Sequence, residues 1–280
     1  MGGDRSVGTV LVVGASTGFG AAIAEAFAAR GDRVIGTSRS APKDGPVAET
    51  GLTMARLDVC DDASVVALAA RLEAAGIVPD LIVLNAGYGI SGAVEDTDVA
   101  AAMAQFNTNF FGVHRMVRAV LPGMRARGSG RLIVVGSVAG RIAIPFQAFY
   151  SASKAAVASY VDALRMETAA FGIDVVLVEP GDHNTAFGAA RPPSESGPDS
   201  VYQPQAQRAV AIMEASEHAG APATDMARRV LAIAAMRCPK GRYLQANAVE
   251  KMGLFLQPVL PAAWFERVIM DMYKVPGRGR

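Results

Sequence analysis

The feature that most restricts the fold of this chain is an apolar strand that runs straight into a glycine-punctuated turn and then a helix. Thr9-Val-Leu-Val-Val13 leads into Gly14-Ala-Ser16-Thr17-Gly18-Phe19-Gly20. The residues that follow, 21 to 30, are strong helix formers with apolar positions three to four apart, and Gly31 suits the stop. Small residues in such a turn let the backbone approach a ligand closely. The helix start adds unpaired N–H groups and the positive end of the helix dipole, so a pyrophosphate fits there. The spacing is Gly-x-x-x-Gly-x-Gly, and a plain glycine turn capping a helix is the competing reading until the strand before it is counted.

Apolar runs of strand length alternate with helical periodicity along the rest of the chain. Strands are expected near 9–13, 33–37, 52–57, 81–84, 132–135, 174–178 and 242–244. Helices are expected near 18–30, 62–75, 97–127, 151–171, 205–219 and 224–237. This alternation predicts an α/β fold: a single doubly wound Rossmann domain with about seven parallel strands and helices on both faces. Ligands of such sheets bind at the carboxyl ends of the strands, where Gly14, Asp58, Asn85, Ser137 and Pro180 are expected. At 51% hydrophobic residues and a mean hydropathy of +0.26, 280 residues can build one large core. No linker-like stretch divides the chain, so one domain over 1–280 is expected, with a substrate lid near 186–222 and a C-terminal extension near 246–280.

The chemistry is carried by Tyr150-Ser-Ala-Ser-Lys154, with Ser137 upstream. On a helix, positions i and i+4 share a face, so the Lys154 ammonium can stand beside the Tyr150 phenol and favour its ionised form. A phenol ordinarily titrates near pH ~10, and a cationic neighbour brings it toward a range useful for proton transfer. A solvated tyrosine and a surface lysine give the same spacing, so the pair gains meaning from its surroundings.

Those surroundings resemble the short-chain dehydrogenase/reductase family from about residue 9 to residue 185. Leu84-Asn85-Ala86-Gly87 resembles the family's Asn-Asn-Ala-Gly turn, and Asn107-Thr-Asn109-Phe-Phe-Gly112 its helix asparagine motif. Gly136-Ser137 resembles the site of its catalytic serine, and Pro180-Gly181-Asp-His183-Asn-Thr185 its nicotinamide-side loop. The segment 127–150 is nearest in wording to the 17-beta-hydroxysteroid and retinol dehydrogenase branch. Val13 and Leu84 depart from the family's usual Thr and Asn, which bears on backbone positioning around the cofactor. The resemblance implies a catalytic set of Asn109, Ser137, Tyr150 and Lys154. Tyr150 would exchange a proton with the substrate oxygen, Ser137 would polarise that oxygen, Lys154 would lower the phenol pKa and hold the nicotinamide ribose, and Asn109 would hold a relay water. It also implies cofactor contacts from Gly14, Ser16, Thr17, Gly18, Phe19, Gly20, Asp58, Val59, Asn85, Ala86, Gly87, Pro180, Gly181, His183 and Thr185. For Asp58 a helix cap is the alternative, and for His183 a loop histidine touching nothing reactive.

Cofactor type follows from the end of the second strand, Thr37-Ser38-Arg39-Ser40. A carboxylate there would accept from the ribose 2'-hydroxyl of NAD(H). Arg39 instead offers planar donors to a 2'-phosphate, which favours NADP(H) over NAD(H). The expected activity is interconversion of a ketone and a secondary alcohol on a hydrophobic steroid-, retinoid- or lipid-like substrate. Ile90, Ile142, Ile144, Phe146, Phe187 and Tyr202 are the pocket residues expected for it, and Arg141 is expected to face water. The rival is a catalytically idle NADP(H)-binding regulator or scaffold of the same fold. With 27 basic and 26 acidic residues, the net charge of +1 and the absence of a basic run exclude a nucleic-acid footprint. Cys60 and Cys238 have no metal-type spacing and are expected as unpaired, buried thiols in a reducing compartment. No segment reaches the ~18 apolar residues of a spanning helix. The run near the amino terminus is needed as a strand, so neither a signal peptide nor a membrane anchor is expected, and the location is expected to be cytoplasmic. A homodimer or homotetramer paired through the helices near 97–127 and 151–171 is implied by the resemblance. The proline-broken apolar segment after 251 would close the pocket, meet a subunit or touch lipid.

Overall fold

The computed structural model describes residues 8–42 and 51–277. Seven strands form one parallel sheet: β1 (Thr9–Val13), β2 (Arg33–Ser38), β3 (Gly51–Arg56), β4 (Leu81–Leu84), β5 (Gly130–Val135), β6 (Ile173–Pro180) and β9 (Arg242–Gln245), in the order β3-β2-β1-β4-β5-β6-β9. Between β6 and β9 lie two short paired strands, β7 (His183–Asn184) and β8 (Ala221–Pro222). The order reverses beside β1, so the carboxyl ends of β1 and β4 diverge into a crevice.

Strand residues alternate between two cores because the sheet is covered on both faces. Leu11 and Val13 enter one core with Val65 and Leu68 of α2 (Asp62–Ala74), Met116 and Met124 of α4 (Gly112–Arg127), and Val157 and Val161 of α5 (Ala148–Thr168). Val10 and Val12 enter the other with Ile23 and Phe27 of α1 (Gly18–Ala29) and Met226, Val230 and Ile233 of α7 (Ala223–Ala235).

Two departures from the sequence expectations, in the helix over 97–127 and in the C-terminal segment, have physical reasons. The helix expected over 97–127 is divided into α3 (Val99–Phe106), a π-helical turn (Asn107–Phe111) and α4. The widened turn carries Asn109 inward to 1% exposure, where its amide binds the backbone of another loop. The lid contains α6 (Gln203–Ala219), close to the helix expected over 205–219, and Asp96 ties the segment before it in place by accepting from Ser196 at 2.5 Å and Ser200 at 2.6 Å. The C-terminal segment forms α8 (Ala248–Leu256) and α9 (Ala262–Met272). Its prolines separate these helices rather than breaking one, with Pro258 between them and Pro261 at the N-cap of α9. Among the described residues, no helix is long and apolar enough to cross a membrane. Both cysteines are free thiols, but Cys60 is only partly buried and Cys238 is exposed, correcting the expected burial of both.

Candidate active site

A continuous cleft of about 1080 Å3 runs along the carboxyl ends of the strands. Its near end is the glycine turn. Gly14 has φ +80°, and a Cβ on it would come within 2.9 Å of the Ala86 backbone. A Cβ on Gly20 would overlap the Gly14 carbonyl oxygen and lie 2.7 Å from Asn85 Nδ2. Only glycine therefore lets β1 and α1 meet this tightly. Asn85 Nδ2 donates to that same Gly14 carbonyl at 2.9 Å, and Thr37 Oγ1 accepts from Gly14 N–H at 3.3 Å. The turn is thus stapled to β4 and β2, while Thr17, the N-cap of α1, makes no side-chain cap bond. The first N–H groups of α1 are left for an anionic ligand, and a dinucleotide pyrophosphate fits the space beside them.

Ser16, Gly18, Phe19, Arg39, Asp58, Val59, Ala86 and Gly87 line the same cleft, as do Pro180, Gly181, His183 and Thr185. Gly20 is buried behind the turn rather than in the lining. Asp58 does not cap α2: Asp61 does so by accepting from Ala63 N–H at 3.0 Å, while Asp58 Oδ1 accepts from Cys60 N–H at 2.9 Å. Arg39 is exposed at the cleft wall, with no ion pair among the described residues. His183 is buried; its Nδ1 lies 2.9 Å from the Gly181 carbonyl, its ring meets Phe19 edge-on at 5.0 Å, and its Nε2 has no partner among the described residues. A buried, unpartnered ring nitrogen on the cofactor side is what a polar nicotinamide contact would satisfy.

At the centre stand Ser137 and Tyr150. Ser137 closes β5 and caps the short turn Val138–Gly140, accepting from Ala139 N–H at 3.1 Å. Its hydroxyl is near enough to the Tyr150 phenol to act on its pKa. Tyr150 lies in the first turn of α5, which starts three residues earlier than expected, just after Phe146 in the left-handed region at φ 61°. Lys154 lies one turn on, 6% exposed, with Nζ donating to the Val135 carbonyl at 2.9 Å and 5.9 Å from the centre of the Tyr150 ring.

Burial sets the charge states here. It pushes the Tyr150 phenol up to about 12, against the nearby Ser137 hydroxyl, which lowers it. It brings the Lys154 ammonium down to about 8. The expected lowering of the phenol by Lys154 is not what this geometry gives, because the ammonium is directed at the Val135 carbonyl and desolvation prevails. Asn109 is held in a network: its amide nitrogen donates to the Tyr88 carbonyl at 2.9 Å and Ser153 Oγ at 3.1 Å, and its oxygen accepts from Tyr88 N–H at 3.1 Å. With both amide hydrogens engaged, its side chain fastens the loop after β4. Gln105 helps, donating to the same carbonyl at 2.5 Å and accepting from Ile90 N–H at 2.8 Å.

The far end of the cleft is mostly apolar. Ile142, Ile144 and Phe187 line it as expected, together with Ile212, Ile269 and Met272; Ile90, Phe146 and Tyr202 do not. Phe187 packs against Tyr150 with ring centres 5.5 Å apart. Residues of α8 and α9 line this end, so the C-terminal segment closes the pocket. It is fastened by Glu250, whose carboxylate accepts from Asp182 N–H at 2.6 Å and Asn247 N–H at 2.7 Å. Arg141 does not simply face water: it pairs with Glu179, which is 1% exposed and also meets Arg242 at 3.4 Å. Sequence reading missed Tyr88, Gln105, Asp182, Glu217 and Glu250. Only Glu250 had a local signal, the Asn247-x-x-Glu250 capping box.

Residues 8–196 match the family model described as short chain dehydrogenase. A 3-ketodihydrosphingosine reductase from Bacteroides thetaiotaomicron is 38% identical over 235 residues, covering 83% of this chain and 86% of that protein. Retinol dehydrogenase 8 from Homo sapiens is 38% identical over 189 residues, 64% of this chain and 60% of the human protein. Among solved structures, a short chain dehydrogenase from Burkholderia cenocepacia in complex with NADP superimposes with a TM-score of 0.71 at 25% identity, covering 94% of this chain and 99% of that one.

Proposed function

This chain belongs to the short-chain dehydrogenase/reductase family, and we propose that it interconverts a ketone and a secondary alcohol on a hydrophobic substrate with NADP(H) as cofactor. The observation that carries the reading is that Ser137 and Tyr150 line one cleft together, between the glycine turn and the apolar far end, with the serine hydroxyl near enough to act on the phenol. When bound, a nicotinamide dinucleotide supplies or accepts the hydride. The glycine turn and the start of α1 would hold its pyrophosphate, and Lys154 its nicotinamide-side ribose.

The chain's own groups perform the proton chemistry. A phenol at about 12 keeps its proton at neutral pH, so Tyr150 donates to the carbonyl oxygen as reduction proceeds and takes the proton back in the reverse direction. The Ser137 hydroxyl donates to the same oxygen and stabilises the charge that grows on it. Desolvation at the pair strengthens both contacts. Arg39 supports the choice of NADP(H), since the end of β2 offers an exposed guanidinium with no ion pair among the described residues, and Thr37-Ser38-Arg39-Ser40 holds no carboxylate.

The apolar end of the cleft supports a lipid-like substrate, in keeping with the sphingoid and retinoid names of the relatives. A homodimer through the helices over 97–127 and α5 is supported by the exposure of Met103 on α3, Phe111 in the π-helical turn and Met166 on α5. Tyr150→Phe tests the central claim: NADPH binding followed by fluorescence is retained, while ketone reduction falls by about 10²–10⁴-fold, the usual contribution of a positioned acid. Turnover within twofold of the parent would remove Tyr150 from the reaction.

A further inference from the structure

We propose that Arg141, held by Glu179, is a positioning residue that aims the Ser137 hydroxyl at the substrate oxygen. The inference rests on the reading of the cleft as a ketone and alcohol site, and adds to it two charged residues that do not line the cleft themselves.

Ser137 stands on a short support. It opens the single turn Val138–Gly140, in which Ala139 N–H donates to the Ser137 hydroxyl at 3.1 Å, Gly140 N–H to the Ser137 carbonyl at 3.0 Å and Arg141 N–H to the Val138 carbonyl at 2.9 Å. One turn of this kind has too few internal bonds to fix its own place. Contacts from outside have to do so.

Glu179 supplies them at both ends of the turn. It is buried near the end of β6, beside Pro180. Its Cγ lies against Gly136, where an added Cβ would come within 3.5 Å of it. Its carboxylate takes both prongs of the Arg141 guanidinium, Oε1 accepting from Nε at 2.8 Å and Oε2 from Nη2. One side chain thus touches the residue before Ser137 and grips the residue that ends its turn, in a bidentate geometry that fixes direction as well as distance. From the other side, Gln257 at the end of α8 donates to the Arg141 carbonyl at 2.9 Å. The sheet therefore holds Arg141 by its side chain and the C-terminal helices hold it by its backbone.

Stability alone is a weak reason for such a pair. Burying the Glu179 carboxylate costs desolvation, which contact with a partly exposed guanidinium offsets without a large surplus. What the pair adds is position. The Ser137 hydroxyl has to meet an oxygen that Tyr150 also reaches, and a displacement of ~1 Å at such a group costs on the order of 100-fold in rate.

Two measurements decide the matter. The first is a double-mutant cycle on kcat for NADPH-dependent reduction of a long-chain ketone. Arg141→Ala lowers kcat by about 10- to 100-fold and leaves both KM values within roughly twofold, because the binding groups stay in place. Glu179 still has Arg242 at 3.4 Å in that variant, so its charge is not left alone. In a Ser137→Ala background the same substitution lowers kcat by less than about twofold, since the group it positions is gone. Equal losses in the two backgrounds, or a loss confined to KM, overturn the proposal. The second measurement needs no turnover: amide hydrogen exchange in peptides covering 137–142. Arg141→Ala quickens exchange there by roughly tenfold or more, the effect of losing one charge-assisted contact. Arg141→Lys, which keeps the charge without the fork, quickens it by roughly threefold or more and is read in its place should Arg141→Ala not fold. Unaltered exchange over 137–142 overturns the positioning role. If the parent reduces no ketone, the oxidoreductase reading fails, and the exchange still decides what Arg141 holds.

Discussion

Lys154 gives the most quantitative test of the site's electrostatics. Its side chain is buried and its ammonium is pulled from 10.5 down to about 8 by desolvation. Between pH 8 and 10.5 the unfolded chain holds a proton that the native chain has released. Unfolding then takes up a proton, and stability rises with pH through that window; the contribution is complete above 10.5 and is lost as pH falls through 8. At about 1.36 kcal/mol per pH unit the full effect is about 3 kcal/mol, of which about 2 kcal/mol falls between pH 7 and 9.5. The buried phenols of Tyr150, Tyr160 and Tyr273, each pushed up to about 12, act with opposite sign: their contribution is present below pH 10 and disappears between 10 and 12. Stopping at pH 9.5 keeps most of that opposing change out of the measurement. Urea unfolding of the parent and of Lys154→Met at pH 7.0 and 9.5 isolates the lysine, since other titrating groups are common to both proteins and cancel in the difference. The parent should gain about 2 kcal/mol more than the variant over this interval. Parallel changes in the two proteins would refute the desolvated lysine and the assignment of charge states built on it.

Three further outcomes follow from contacts in the cleft. Gly20→Ala forces a methyl group into the Gly14 carbonyl and Asn85, an overpacking cost of about 1–3 kcal/mol; NADPH affinity measured by fluorescence should fall by roughly 5- to 150-fold if the turn holds the pyrophosphate, and an unchanged affinity would place the cofactor elsewhere. Arg39→Ala should weaken NADPH by about tenfold or more while leaving NADH within about twofold, as expected for loss of one charge-assisted contact; equal effects on both cofactors would exclude a 2'-phosphate contact. Glu250→Ala removes the capping box of α8 and the acceptor for Asp182 N–H, and should cost about 1–2 kcal/mol in urea unfolding and raise KM more than it lowers kcat. A stable variant with an unaltered KM would mean that the C-terminal helices do not shape the pocket.

The expected strand positions lie close to those observed because both signals, a short apolar run and a flanking turn, are local. The same holds for α1 behind its glycine turn and for the i, i+4 placement of Tyr150 and Lys154. Sequence reading was weaker where a residue's role depends on what the chain brings to it. Asn109 was legible as a motif residue, but its pairing with Tyr88 exists only because the loop after β4 crosses the π-turn. Lys154 was expected to act on the phenol, whereas burial beneath the cleft decides both charge states.

The amino-acid sequence by itself determined the parallel sheet, the turn that opens α1 and the identity of the groups that can exchange a proton, since periodicity and spacing act over a few residues. Only the tertiary structure decided which carboxylates line the substrate end. Arg191 and Glu217 lie 26 positions apart and Asp182 and Glu250 lie 68 apart. No local pattern encodes those meetings; the lid and the C-terminal helices bring them about by packing over one cleft, where loss of water makes each unpaired charge count.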